Sequence, residues 1–246
     1  MSGLTYLITG ANRGIGLGLA AHYLNLPNTT VIAAVRNPSS AGDLKALPAG
    51  KGAKLIVVKI DSLSRTDPAT AVAELKSKYS ISHLDVVIAN AGLGSFWGTA
   101  LDTPIDEFVQ HFQVNATGTL LLFQAVYELL SKAKEPKFVP IGTQVGSISQ
   151  IESFPLGATA YGTSKAALNF LTRKLHMEHQ NMVIFPLAPG WVQTEMGKGA
   201  AVSVGIADAP TTIDESVAGL TKIIDESTRE KTSGIFANYD GTTVTW

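Results

Sequence analysis

Six short apolar runs divide this chain, at residues 4–9, 30–35, 53–60, 84–89, 137–142 and 182–187. Each has the length and composition of a buried strand. The segments between them are long enough for helices. Residues 17–26 read as one, stopping before Pro27. Residues 66–79 read as another, with Thr66 or Asp67 as cap and Pro68 in its first turn. Residues 104–131 form a long helical stretch, and 212–227 a further helix capped by Thr212. Strands separated by helices cannot pair as hairpins, so they build a parallel sheet covered on both faces. The expectation is an α/β, doubly wound sheet of about seven parallel strands with helices on both faces, the seventh strand at 234–238. Residues 197–209, small and weakly periodic, read as a mobile loop.

Composition agrees with one large core. Of 246 residues 45% are hydrophobic and 16% charged, with a net charge of −1 and no block of like charge. Neither a nucleic-acid nor a membrane surface is expected. There is no cysteine, which removes disulfides, thiolate catalysis and cysteine metal sites; no metal site is expected. The chain enters its first apolar run at once, without a basic region, and no run approaches the roughly 20 residues that span a bilayer. A cytoplasmic location is the expectation.

The turns carry the chemistry. The first run ends in Thr9-Gly10-Ala11-Asn12-Arg13-Gly14-Ile15-Gly16. A strand, a glycine-rich turn and a helix N-terminus together present backbone N–H groups and a positive dipole end to a phosphate. The second run is followed by Arg36 and not by the acid that bonds the ribose of NAD. Arg13 and Arg36 suit a 2′-phosphate by charge and bidentate geometry, which favours NADP(H). Asp61-Ser62, Asn90-Ala91-Gly92, Thr143 and Pro189-Gly190 through Val192 to Thr194 each follow another run. In a parallel sheet all these turns fall at the carboxyl ends of the strands, where ligands bind. Asn115 sits in mid-helix among apolar neighbours, where a buried amide must find partners. Tyr161 and Lys165 are one helical turn apart on one face. A cation near a phenol favours the phenolate, so the pair reads as a proton-exchange device with the phenol pKa lowered.

Taken in order, Thr9-Gly10-x-x-x-Gly14-Ile15-Gly16, Asn90-Ala91-Gly92, Asn115, Tyr161-x-x-x-Lys165 and Pro189-Gly190 resemble the short-chain dehydrogenase/reductase family over essentially the whole chain. Residues 189–197 and 233–241 resemble its C-factor-like branch, and within it the chain is similar to fungal norsolorinic acid ketoreductase-type enzymes. The resemblance implies a single Rossmann-fold reductase domain over 1–246, with 190–212 as the substrate-loop region. It implies that Gly10, Asn12, Arg13, Gly14 and Ile15 hold the pyrophosphate and adenosine end, and that Arg36 meets the 2′-phosphate. Asp61 and Ser62 would contact adenine, and Asn90, Ala91 and Gly92 would lie along the ribose. Pro189, Gly190, Val192 and Thr194 would seat the nicotinamide. Tyr161 would donate the proton, Lys165 would bond the nicotinamide ribose, and Asn115 would hold a water leading to solvent. Such enzymes act on a small-molecule ketone or alcohol. The family often forms homodimers or homotetramers, and monomers occur.

One position departs from the family, which places a serine just after the fifth strand. Counted from the strand end that position is Thr143, a hydroxyl donor with an added methyl group. Ser147, nearer the usual spacing before Tyr161, is the fallback. Phe96, Trp97, Phe154 and Trp191 are candidate walls for a bulky or aromatic ketone. Two other readings stay open: a dinucleotide-binding regulatory protein with weak turnover, and an NAD-dependent alcohol dehydrogenase.

Overall fold

A computed structural model describes residues 3–154 and 156–246; Met1, Ser2 and Pro155, which the expected 1–246 span includes, lie outside the described residues. The elements run β1 (Thr5–Thr9), α1 (Gly14–Leu24), β2 (Thr30–Val35), α2 (Gly42–Lys45), β3 (Lys54–Lys59), α3 (Asp67–Tyr79), β4 (Val86–Ala89), α4 (Ile105–Phe112), α5 (Gly118–Leu130), β5 (Lys137–Pro140), α6 (Thr159–Glu178), β6 (Val183–Ile184), β7 (Leu187–Ala188), α7 (Glu195–Ser203), α8 (Ile213–Glu226), β8 (Phe236–Asn238) and β9 (Thr243–Val244). The first six strands form one parallel sheet in the order β3-β2-β1-β4-β5-β6.

Side-chain alternation along these strands divides the core in two. Tyr6, Ile8, Val31, Ala33, Val35, Val86 and Ile88 face α1 and α8 through Leu19, Tyr23 and Leu220. Leu7, Ile32, Ala34, Val87 and Phe138 face α3, α5 and α6 through Leu75, Phe123, Val126 and Leu175. Both faces are buried, which is why the strands read as continuous apolar runs. Each fully buried valine, leucine, isoleucine or phenylalanine among them contributes roughly 1.5–3 kcal/mol of transfer free energy.

Three expectations need correction. The sheet has six strands, not about seven, because the run 182–187 breaks at Phe185-Pro186. Proline has no N–H to donate to a ladder. Its two halves part company: Val183 and Ile184 pair with β5, while Leu187 and Ala188 pair with β8 in a separate sheet ordered β7-β8-β9. An isolated bridge from Ile141 to Leu187 joins the two. The helical stretch 104–131 is interrupted by a π-helical segment, Gln113–Thr117, centred on Asn115. The supposed loop 197–209 begins as α7. The Thr194 hydroxyl accepts from the Gly197 N–H at 3.1 Å and starts that helix. Its small residues serve close packing: a Cβ on Gly197 would lie 1.9 Å from the Val192 carbonyl, and Ala201 is fully buried.

Helix α8 starts as read, with the reciprocal capping box of Thr212 and Glu215. Among the described residues no helix is long and apolar enough to cross a membrane.

Candidate active site

The parallel register brings the carboxyl ends of β1, β2, β4 and β5 to one edge, pairing Thr9 with Ala34 and Ala89 with Pro140. Gly10 leaves β1 at φ 64° and Gly14 opens α1 at φ 53°, both in the left-handed region. A Cβ on Gly16 would stand 2.2 Å from the Gly10 carbonyl and 2.6 Å from the Asn90 amide. The turn is therefore folded back on the strand end more tightly than any side chain permits. The Asn90 side chain holds it there, donating to the carbonyls of Thr9 at 2.9 Å and Gly10 at 3.3 Å. The Ala91 N–H donates to the Thr9 hydroxyl at 3.0 Å. Asn12 reaches the Ser40 hydroxyl at 3.3 Å and ties the turn to the chain after β2. Gly92 passes under the site, where a Cβ would lie 3.3 Å from Asn115 Oδ1 and 3.5 Å from Lys165 Nζ.

The two arginines differ in their surroundings. Arg36 is exposed just past β2. Arg13 caps α1 with its backbone, and its exposed guanidinium is ion-paired with Glu195 of α7. Asp61 and Ser62 follow β3, Asp61 accepting from the Leu63 N–H at 3.0 Å and Ser62 packing against Gly118. Gly190, at φ 82°, has no room for a Cβ beside the Tyr239 ring.

Helix α6 carries Tyr161, Ser164 and Lys165. Lys165 is buried, with Nζ donating to the Ile141 carbonyl at 3.0 Å and lying 5.8 Å from the centre of the Tyr161 ring. Burial pulls this ammonium down to about 8. Burial also pushes the Tyr161 phenol up to about 12, with the Thr143 side chain working against the rise. The phenol is raised where a lowering was expected: loss of solvent is the largest cause, and the Thr143 hydrogen bond, not the cation one turn away, is what works against it. The buried Asn115 accepts from Leu93 N–H at 2.8 Å and donates to Leu93 O at 2.8 Å and the Ser164 hydroxyl at 2.9 Å. Its amide is satisfied entirely by protein. Sequence reasoning missed Ser164, although it lies inside the Tyr161-x-x-x-Lys165 motif.

Thr143 and Ser147 now separate. Thr143 lies just beyond β5, accepts from the Val145 N–H at 3.3 Å, and lines a largely apolar cavity with Tyr161. Ser147 is buried elsewhere and donates to the Thr245 carbonyl at 2.6 Å. The cavity is walled by Trp97, Phe154, Leu156, Trp191 and Met196, with Ile15, Pro189, Gly190, Val192 and Thr194 on the side toward α1. Phe96 is not among the cavity residues; its ring packs over Gly98. Met196 and Leu156 were invisible as walls because nothing local distinguishes them from ordinary core residues.

A doubly wound sheet with a glycine turn, a helix-borne Tyr161–Lys165 pair and a cavity at the carboxyl edge defines a nucleotide-dependent dehydrogenase architecture. The sequence pattern described as short chain dehydrogenase matches residues 5–203, and the chain belongs to the short-chain dehydrogenase/reductase family. It is 46% identical to norsolorinic acid ketoreductase nor1 of Dothistroma septosporum, over 98% of this chain and 92% of that protein. It is also 46% identical to norsolorinic acid ketoreductase stcE of Emericella nidulans, over 98% and 93%. Among solved structures it resembles NADPH-bound carbonyl reductase from chicken fatty liver, with a TM-score of 0.86, 30% identity and full coverage of both chains. Carbonyl reductase Sniffer of D. melanogaster superposes with a TM-score of 0.84 at 26% identity, over 99% and 100%.

Proposed function

We propose that this protein is an NADPH-dependent carbonyl reductase acting on a bulky or aromatic ketone. The observation that carries the reading is the convergence of Thr143, Tyr161 and an apolar, aromatic-walled cavity at the carboxyl edge of the sheet. The ketoreductase names of the two relatives and the NADPH bound to the chicken enzyme support it.

The residues present fit a dinucleotide. The turn around Gly10, Gly14 and Gly16 leaves no space for side chains where a pyrophosphate would approach α1. Asn12, Arg13, Ile15, Asp61, Ser62, Asn90, Ala91 and Gly92 would line its path, with Pro189, Gly190, Val192 and Thr194 at the nicotinamide end. Arg36, exposed where an NAD-binding protein carries an acid, favours a 2′-phosphate. Bound NADPH supplies the hydride. The chain's own task is to hold the ketone and manage one proton. Thr143 donates a hydrogen bond to the carbonyl oxygen as negative charge grows there. Tyr161, kept protonated by burial, gives its proton to that oxygen. Lys165 stabilises the resulting phenolate, and Asn115 anchors Leu93 and Ser164 beside it. The segment 190–212, containing α7, closes the cavity as the substrate region of a single domain.

The test is NADPH consumption over a panel of aryl and small ketones, with Thr143→Ser run beside the parent. Turnover of aryl ketones by the parent, changed only a few-fold in the variant, is expected. An inert parent with an active serine variant would instead favour a regulatory dinucleotide-binding protein.

A further inference from the structure

His111 lies in the last turn of α4, fully buried, and takes no part in the chemistry above. Its ring nitrogens have unlike partners. Nδ1 is 2.7 Å from the Glu107 carbonyl oxygen, which can only accept. Nε2 is 3.2 Å from the Ser95 backbone nitrogen, whose N–H can only donate. Those partners assign the tautomer: a neutral imidazole with its hydrogen on Nδ1 and a free lone pair on Nε2. The Glu107 carboxylate lies 3.6 Å from Nδ1 and also accepts from the Ser95 hydroxyl at 3.1 Å.

Ser95 belongs to the stretch that leaves β4 and forms one wall of the cavity. The stretch is held at three points. Asn115 brackets Leu93 through both backbone groups, His111 takes Ser95, and Gly98 bridges to Ala158 at the start of α6. Between the last two stands Trp97, which lines the cavity and meets the Tyr161 ring edge-on at 5.5 Å. Opposite it is α7, where a Cβ on Gly199 would come within 3.6 Å of the indole nitrogen.

We infer that His111 is a positioning residue for substrate: as the Nδ1–H tautomer it anchors the Ser95 amide, and so sets Trp97 as the wall beside Tyr161. This rests on the carbonyl reductase reading and adds the residue that shapes its pocket. Ser95 itself is exposed, so removing the acceptor does not bury a polar group; it breaks the half-buried bond that ties this stretch to α4 and frees the chain at Ser95. The indole then loses its fixed place, and a large ketone that depends on it loses affinity before it loses reactivity.

The test compares the wild type with His111→Phe and His111→Gln, whose side-chain oxygen can still accept from Ser95. Three readouts are needed: side-chain ¹⁵N spectra of His111, ¹⁹F spectra with 5-fluorotryptophan assigned by Trp97→Phe, and kinetics on aryl and small ketones. The wild type should show hydrogen on Nδ1 alone. In H111F the Trp97 resonance should move or broaden while Trp246 stays. KM for aryl ketones should rise ~10-fold with kcat within about threefold, the signature of lost binding. H111Q should restore both. A His111 protonated on Nε2, or an H111F with unchanged Trp97 signal and KM, overturns the inference. If the wild type reduces no ketone the reductase reading fails on its own, and the Trp97 and His111 spectra still decide the anchoring.

Discussion

The Lys165 ammonium lies 5.8 Å from the centre of the Tyr161 ring and is bonded at 3.0 Å to the Ile141 carbonyl just past β5. The cation is therefore held by the sheet, and the phenol is presented to the cavity from the helix that shares it. Burial acts on the two in opposite senses, raising the tyrosine and lowering the lysine, so both are driven toward neutral forms.

Loss of the phenolic hydroxyl removes the proton donor and leaves the cofactor groove intact. Tyr161→Phe is expected to lower kcat by roughly 10²–10⁴, the usual contribution of positioned proton transfer. Titration of NADPH fluorescence should show unchanged cofactor affinity. Near wild-type turnover would reject the assigned role.

Lys165 costs stability in return for its function. Its folded pKa of about 8 lies below the 10.5 of a free lysine. Between these values the unfolded chain binds more protons than the folded one, so stability rises with pH across that window; below about 8 the whole penalty applies. That penalty is on the order of 3 kcal/mol from the linkage relation. Lys165→Met should be more stable than the wild type at pH 7 and lose most of that advantage by pH 10.5, while its activity collapses. Urea melts at the two pH values measure it, and equal stabilities at pH 7 would refute the buried-charge account.

Thr143 offers its hydroxyl at the cavity wall. Thr143→Val keeps the shape and removes the donor, so kcat for ketone reduction should fall on the order of 10²-fold, as for other single donors to a developing oxyanion. Thr143→Ser should stay within a few-fold. Equal rates for the valine and serine variants would exclude a donor role.

Arg36 and Arg13 differ in freedom. Arg36 is exposed, whereas Arg13 is paired with Glu195, an exposed bridge worth little in itself. Arg36→Asp should weaken NADPH binding by about 10- to 100-fold, the worth of charge-assisted hydrogen bonds, and leave NADH less affected. Glu195→Gln should change NADPH affinity less than about fivefold, since an exposed pair contributes under about 1 kcal/mol. Calorimetric titration separates these outcomes; an unchanged NADPH to NADH ratio in R36D would remove Arg36 from the 2′-phosphate.

Much of the architecture was legible because the information is local and periodic. Val31, Ile32, Ala33, Ala34 and Val35 are apolar on both faces of their strand, and that alone demands a sheet covered on both sides. Thr212 announces a helix start from its own position before an amphipathic run. The chain positions of Gly10, Asn90, Thr143 and Tyr161 could be read for the same reason, each tied to an element end or a helical face.

What the sequence alone determined is the order of elements, the edge of the sheet where the special residues gather, and the chemical types available there. Tertiary structure decided the rest, because it depends on groups far apart in the chain. Pro186 splits its strand between two sheets according to which neighbours reach it. Thr143, not Ser147, faces the cavity because Thr245, nearly a hundred residues away, claims the serine. The phenol of Tyr161 is raised, not lowered, because desolvation is set by everything packed around it, and no spacing between two residues records that.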